Sequence, residues 1–102
     1  MYRLAFLPIA RRDMTEIARY VSRELCNPLA AATLADEMMS AAERLTGFPY
    51  ANAIHQTLRP LKNEYRKLIV GNYILLYWID EKGKQVTIAR VIYARRDYEK
   101  LM

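Results

Sequence analysis

The chain of 102 residues is long enough for one domain spanning 1–102 and too short for two that each close a core. Hydrophobic residues make up 53% and charged residues 26%, with 3 Gly and 4 Pro, a balance that excludes a disordered or fibrous chain. A formal net charge of +5, from 16 Lys plus Arg against 11 Asp plus Glu, favours an anionic surface or an acidic protein as partner.

The elements follow in chain order. Tyr2 to Leu7 is apolar apart from Arg3 and ends at Pro8, which predicts a short first strand. From Ile9 the apolar residues Met14, Ile17, Ala18, Val21 and Leu25 recur at steps of three and four, so a helix is expected to about Leu25. Asn27-Pro28 stops that helix and opens another, with Asn as N-cap and Pro at the first helical position. Its apolar face is Ala30, Leu34, Met38, Ala41 and Leu45, and Thr46-Gly47 ends it. So short a connection makes the two helices an antiparallel hairpin.

Gly47 to Asn63, with Pro49 and Pro60, shows no period and reads as a long surface loop with room for one helical turn near Ile54. Three β-rich runs follow: Glu64–Val70, Tyr73–Ile79 and Gln85–Ala94. Gly71-Asn72 is a two-residue hairpin signal, and Asp80 to Lys84 forms a longer connection. The middle run is apolar on both faces and is expected at the centre of the sheet. The fold class read from this order is α+β: an antiparallel sheet in β-α-α-β-β-β order, packed by an N-terminal helix hairpin. The charged tail from Arg95 to Met102 is expected to add a short C-terminal helix.

Cys26 is the only cysteine, so neither an intrachain disulfide nor a multi-thiolate zinc site can form, and a small apolar role at the helix turn is expected for it. His55 is the only histidine. With no serine or cysteine nucleophile motif beside it, it reads as an ordinary loop residue and not as a general base. A glycine-rich phosphate loop and clustered carboxylates are both missing, so neither a cofactor nor a metal is expected. No run approaches the roughly 18 apolar residues of a membrane span, and the first ~20 residues do not read as a signal peptide, which points to a cytoplasmic protein without a membrane role.

The helical segment is close to neutral, and the cationic excess gathers in Arg59, Lys62, Arg66 and Lys67, with Arg90, Arg95 and Arg96 on or past the last strand. Tyr65, Tyr93 and Tyr98 lie close to these cations in sequence, as a surface for a phosphate-rich or acidic target requires. Arg66 and Arg90 sit inside apolar runs, which also fits pairing with internal carboxylates.

Two stretches carry a family resemblance. The run Glu64 to Tyr77 contains Tyr65-Arg66-Lys67 and Val70-Gly71-Asn72-Tyr73, and the run Val86 to Tyr98 ends in Arg95-Arg96-Asp97-Tyr98. Both resemble the RelE/ParE toxins of bacterial type II toxin-antitoxin modules, and the order of elements is similar across nearly the whole chain. The resemblance implies a growth-arresting toxin neutralised by a cognate antitoxin, which alone would contact operator DNA. Within the superfamily, the RelE branch cuts messenger RNA on the ribosome, with cations and a tyrosine supporting phosphoryl transfer; by resemblance Arg66 falls on one of its basic sites, Arg95 or Arg96 on its late Arg, and Tyr98 near its terminal Tyr, though sooner after Arg96 than that pattern has it. Leu68 and Ile74 stand where that branch carries further cations, and losing one such group costs about 2.7–4 kcal/mol of transition-state stabilisation. The sequence therefore looks more like the ParE branch, which poisons DNA gyrase by binding. Arg66, Lys67, Arg90, Arg95, Arg96 and Tyr98 are then expected to bind the target, with no catalytic residue.

Overall fold

The computed structural model describes residues 1–54 and 64–94. Its elements are β1 (Arg3–Phe6), α1 (Pro8–Arg19), a π-helical turn (Tyr20–Glu24), α2 (Pro28–Arg44), β2 (Arg66–Val70), β3 (Tyr73–Asp80) and β4 (Gln85–Tyr93). The sheet order is β1-β4-β3-β2. β2, β3 and β4 form the expected antiparallel meander. β1 lies parallel to β4, from Arg3 opposite Gln85 to Phe6 opposite Ile88, so the α+β fold holds with a mixed sheet in place of a purely antiparallel one.

Local chemistry explains the boundaries. Pro8 opens α1 at a position where no intrahelical N–H is needed. The helix continues past Arg19 into the π turn, where the Leu25 N–H reaches the Tyr20 carbonyl at 3.3 Å, and the extra residue ends the regular stripe. Cys26 follows in a left-handed conformation, φ 51°, with an exposed side chain, so it does not take the small apolar role expected of it. The Asn27 side chain accepts the Ala30 N–H at 3.1 Å and caps α2 as the sequence predicts. Gly71, φ 59°, supplies the left-handed residue of the β2–β3 hairpin.

Both helices cover one face of the sheet. There Ala10, Met38, Ala41 and Leu45 meet Val70, Leu75, Tyr77, Val86, Ile88 and Val91, with Leu4, Phe6, Ile17, Leu34 and Leu68 packed around them. The opposite face carries a smaller apolar cluster of Ile74, Leu76 and Ile92, against which Tyr65 packs. The register of β3 on β4 shifts between Leu76 and Tyr77, leaving Ala89 as the additional residue of β4. Ile54 forms a bridge with Arg66 and is therefore extended, not helical. His55, the rest of the long loop to Asn63, and the expected C-terminal helix lie outside the described residues.

Candidate target-binding surface

Strand alternation decides which expected site residues act together. On β2, Arg66 stands opposite Tyr77 and Leu68 opposite Leu75, on the helix side of the sheet, whereas Lys67 stands opposite Leu76 and Ile69 opposite Ile74, on the helix-free side. Arg66 and Lys67 are neighbours in sequence but serve opposite faces. The same geometry separates Leu68 from Ile74, so these two apolar positions belong to different surfaces.

Arg66 is held within the molecule. Its guanidinium donates to the Asn52 carbonyl at 2.7 Å and lies 5.0 Å from the centre of the Tyr50 ring. Its partners are thus a carbonyl and an aromatic face, not the internal carboxylate that the sequence suggested. Asn52 also donates to the Tyr77 hydroxyl at 3.3 Å, and Tyr77 donates to the Pro49 carbonyl at 2.8 Å. Burial pushes the Tyr77 phenol above its ordinary range. Tyr50 is pinned in turn by Glu81, which accepts from Tyr50 at 3.1 Å, from Tyr2 at 2.6 Å and from Lys84 at 3.0 Å. The Tyr2 phenol is the main cause of the depressed Glu81 carboxyl, with Lys84 next. This exposed latch ties the segment bearing Tyr50 to the β3–β4 turn.

Arg90 does find the internal carboxylate. Its Nε and a terminal nitrogen donate to Asp13 at 2.8 and 3.1 Å. Asp13 also accepts the Val91 N–H at 2.9 Å, at the edge of β4 beyond the end of β1. Both partners are largely buried, 15% and 12% exposed.

The helix-free face is the side of the sheet that α1 and α2 leave uncovered. Lys67, Leu76 and Arg90 lie in one row across β2, β3 and β4. At strand spacing, Lys67 and Arg90 are roughly 10 Å apart along that row. Exposed Ile69 and the edge-to-face pair Tyr65–Trp78, ring centres 5.9 Å apart, flank it. Arg95, Arg96 and Tyr98 lie outside the described residues, so among the expected site residues this face gathers Lys67 with Arg90 at the far end of its row, and not Arg66. The sequence reading missed Asp13 and the Glu81 latch. Asp13 was visible as an acid three residues after Ala10 and one before Met14, at the margin of the apolar stripe. Among the described residues no group of three or more His, Cys, Asp or Glu is arranged to hold a metal ion, and no helix is long and apolar enough to cross a membrane.

Comparison with known proteins identifies the family. The profile described as "ParE toxin of type II toxin-antitoxin system, parDE" matches residues 4–98. The chain belongs to this family of toxins. Its fold is similar to that of a chromosomal ParDE toxin–antitoxin system from P. aeruginosa, at 18% identity over 93% of this chain and 98% of that one, with a TM-score of 0.75. The RelBE2 toxin–antitoxin complex of Mycobacterium tuberculosis is similar at 26% identity over 90% of this chain and 96% of that one, TM-score 0.61. The isolated RelE toxin of E. coli is similar at 18% identity over 99% and 95%, TM-score 0.60. No curated protein sequence gives a significant match.

Proposed function

We propose that this toxin arrests growth by binding and poisoning DNA gyrase and that a cognate antitoxin neutralises it. Ile74 carries the choice of target. It is 6% exposed within the apolar cluster of the helix-free face, where the resemblance places a cation of the RNA-cleaving branch. An isoleucine there can neither stabilise phosphorane charge nor move a proton. Leu68 lends less support, because it packs under the helices on the other side of the sheet.

Lys67 supplies the open cation of the target surface, and Arg95, Arg96 and Tyr98 bind the target in this reading as the family resemblance implies. Arg66 and Arg90 act from within their intramolecular bonds, Arg66 by fixing the Tyr50 segment and Arg90 by fixing the edge of β4. The binding is cytoplasmic and uses no cofactor, and operator DNA is reached only through the antitoxin. The antitoxin is supported by family membership and by structural neighbours solved as toxin–antitoxin complexes from M. tuberculosis and P. horikoshii.

Induced expression in a bacterial host is the test. Growth should stop when the chain is expressed alone and resume when the adjacent reading frame is co-expressed. Arg95→Ala and Arg96→Ala should weaken the arrest, by an amount corresponding to roughly 2–5 kcal/mol where the Arg is buried at the interface and far less at its rim. High-level expression with undisturbed growth would contradict the reading.

A further inference from the structure

β2 ends the sheet, and its outer edge is covered over only part of its length. Ile54 bridges Arg66 there, and the Lys67 N–H donates to the Ala53 carbonyl at 3.2 Å. Strand alternation turns the Ile69 N–H and carbonyl to the same side as those of Lys67, away from β3, and there they have no backbone partner among the described residues. The Ile69 side chain is 65% exposed on the helix-free face. An unpaired edge that carries an exposed β-branched residue is a template for another strand.

Beside this edge, on the helix side, a groove of about 460 Å³ lies between α2 and the end of β2. Thr33, Asp36, Glu37, Ser40 and Arg44 line it at helical steps of three and four, all of them exposed. The two acids stand on one side of Ser40 and Arg44 on the other, and none of the three charges forms an ion pair among the described residues. Such a row is complementary to its own reversed copy. A twofold axis normal to the sheet, which runs two β2 edges antiparallel, also runs the two α2 helices antiparallel and brings the acids of each row to Arg44 of the other. With the axis at Ile69, the two Ile69 backbones exchange both hydrogen bonds, their side chains pack together on the helix-free face, and Lys67 lies opposite Gly71 of the second copy and not opposite another lysine. The chain carries a net charge of +5, but this row holds two acids and one cation, so the contact itself does not repel.

We propose that β2 pairs with β2 of a second copy of this chain, antiparallel about a twofold axis at Ile69, with Asp36 and Glu37 of each α2 facing Arg44 of the other. The sheet then continues from one copy into the next. Both helix-free faces lie on the same side, so each copy contributes its Lys67 to one doubled surface. The pairing itself stands independently of what that surface binds.

Sedimentation equilibrium of the purified full-length chain is the test. The mass should rise with concentration toward twice the 12.0 kDa of one chain, within a range up to about 100 µM that suits a small interface. Ile69→Lys sets two ammonium groups opposite each other and should raise the dimer dissociation constant about tenfold or more, with unchanged circular dichroism. Glu37→Arg and Arg44→Glu should each weaken the dimer, and the two together in one chain should restore it, because the reversed charges still meet across the axis. A chain that stays at 12.0 kDa over the whole range would overturn the proposal. A dimer whose dissociation constant Ile69→Lys and the charge variants leave within about twofold would overturn it too, by placing the contact elsewhere. So would protection of the Ile69 amide from hydrogen exchange that appears only when the product of the adjacent reading frame is added, which would give the edge to the antitoxin.

Discussion

The Asp13 carboxylate and the Arg90 guanidinium, 77 residues apart in sequence, meet through two hydrogen bonds of 2.8 and 3.1 Å. The same carboxylate takes the Val91 N–H at 2.9 Å. A helix residue thereby satisfies one N–H of the strand edge that β1 leaves uncovered. Asp13→Ala removes the carboxylate that receives both the Arg90 guanidinium and the Val91 N–H, so it should cost about 3–5 kcal/mol in urea unfolding. Replacing both by apolar residues, Asp13→Leu with Arg90→Met, should cost clearly less than the single change, because the buried guanidinium is removed together with its carboxylate. Equal losses would show that the pair contributes little beyond packing.

Leu75 lies fully buried on the central strand β3, facing the helices. Leu75→Ala should cost about 2–5 kcal/mol, read from the urea midpoint at constant slope.

Much of this architecture is legible in the sequence, because caps, turns and apolar periods are local. Asn27-Pro28 and Gly71-Asn72 each announce their structure through the backbone conformation those residues favour. The parallel pairing of β1 with β4 joins the two ends of the chain, and no local pattern encodes it. The candidate site was less legible for a similar reason. Arg66 and Lys67 read as one basic cluster until strand alternation sends them to opposite faces, and the partner of Arg90 lies on a helix near the other end of the chain. The latch of Tyr2, Tyr50 and Lys84 on Glu81 draws on three separate segments, none of which forms a motif by itself.

The Tyr77 hydroxyl joins Pro49 and Asn52 within the core. Its titration is pushed up by burial, so the folded state favours the neutral phenol. That contribution is complete below the ordinary tyrosine value near pH 10 and is lost as pH rises through the higher folded value. Tyr77→Phe should lower stability by about 1–3 kcal/mol at neutral pH and flatten the decline in stability above about pH 10, as followed by thermal melts. An unchanged alkaline decline would place its origin in other tyrosines.

Lys67 and Arg66 should separate in their effects. Lys67→Glu changes the open face without removing a described bond, so stability should stay within about 0.5 kcal/mol while growth arrest weakens. Arg66→Ala breaks the bond to the Asn52 carbonyl and the stack on Tyr50, and should cost about 1–3 kcal/mol. Full toxicity in Lys67→Glu would remove the helix-free face as the target surface.

The most direct measurement sets two reactions side by side with the purified chain: supercoiling and DNA cleavage by gyrase, and cleavage of messenger RNA in the ribosomal A site. Gyrase should be inhibited or trapped on cleaved DNA while the messenger stays intact, because Ile74 provides neither charge nor proton for phosphoryl transfer. Cleaved messenger with gyrase unaffected, and loss of that cleavage in Arg66→Ala or Arg95→Ala, would contradict the assignment and make those residues catalytic.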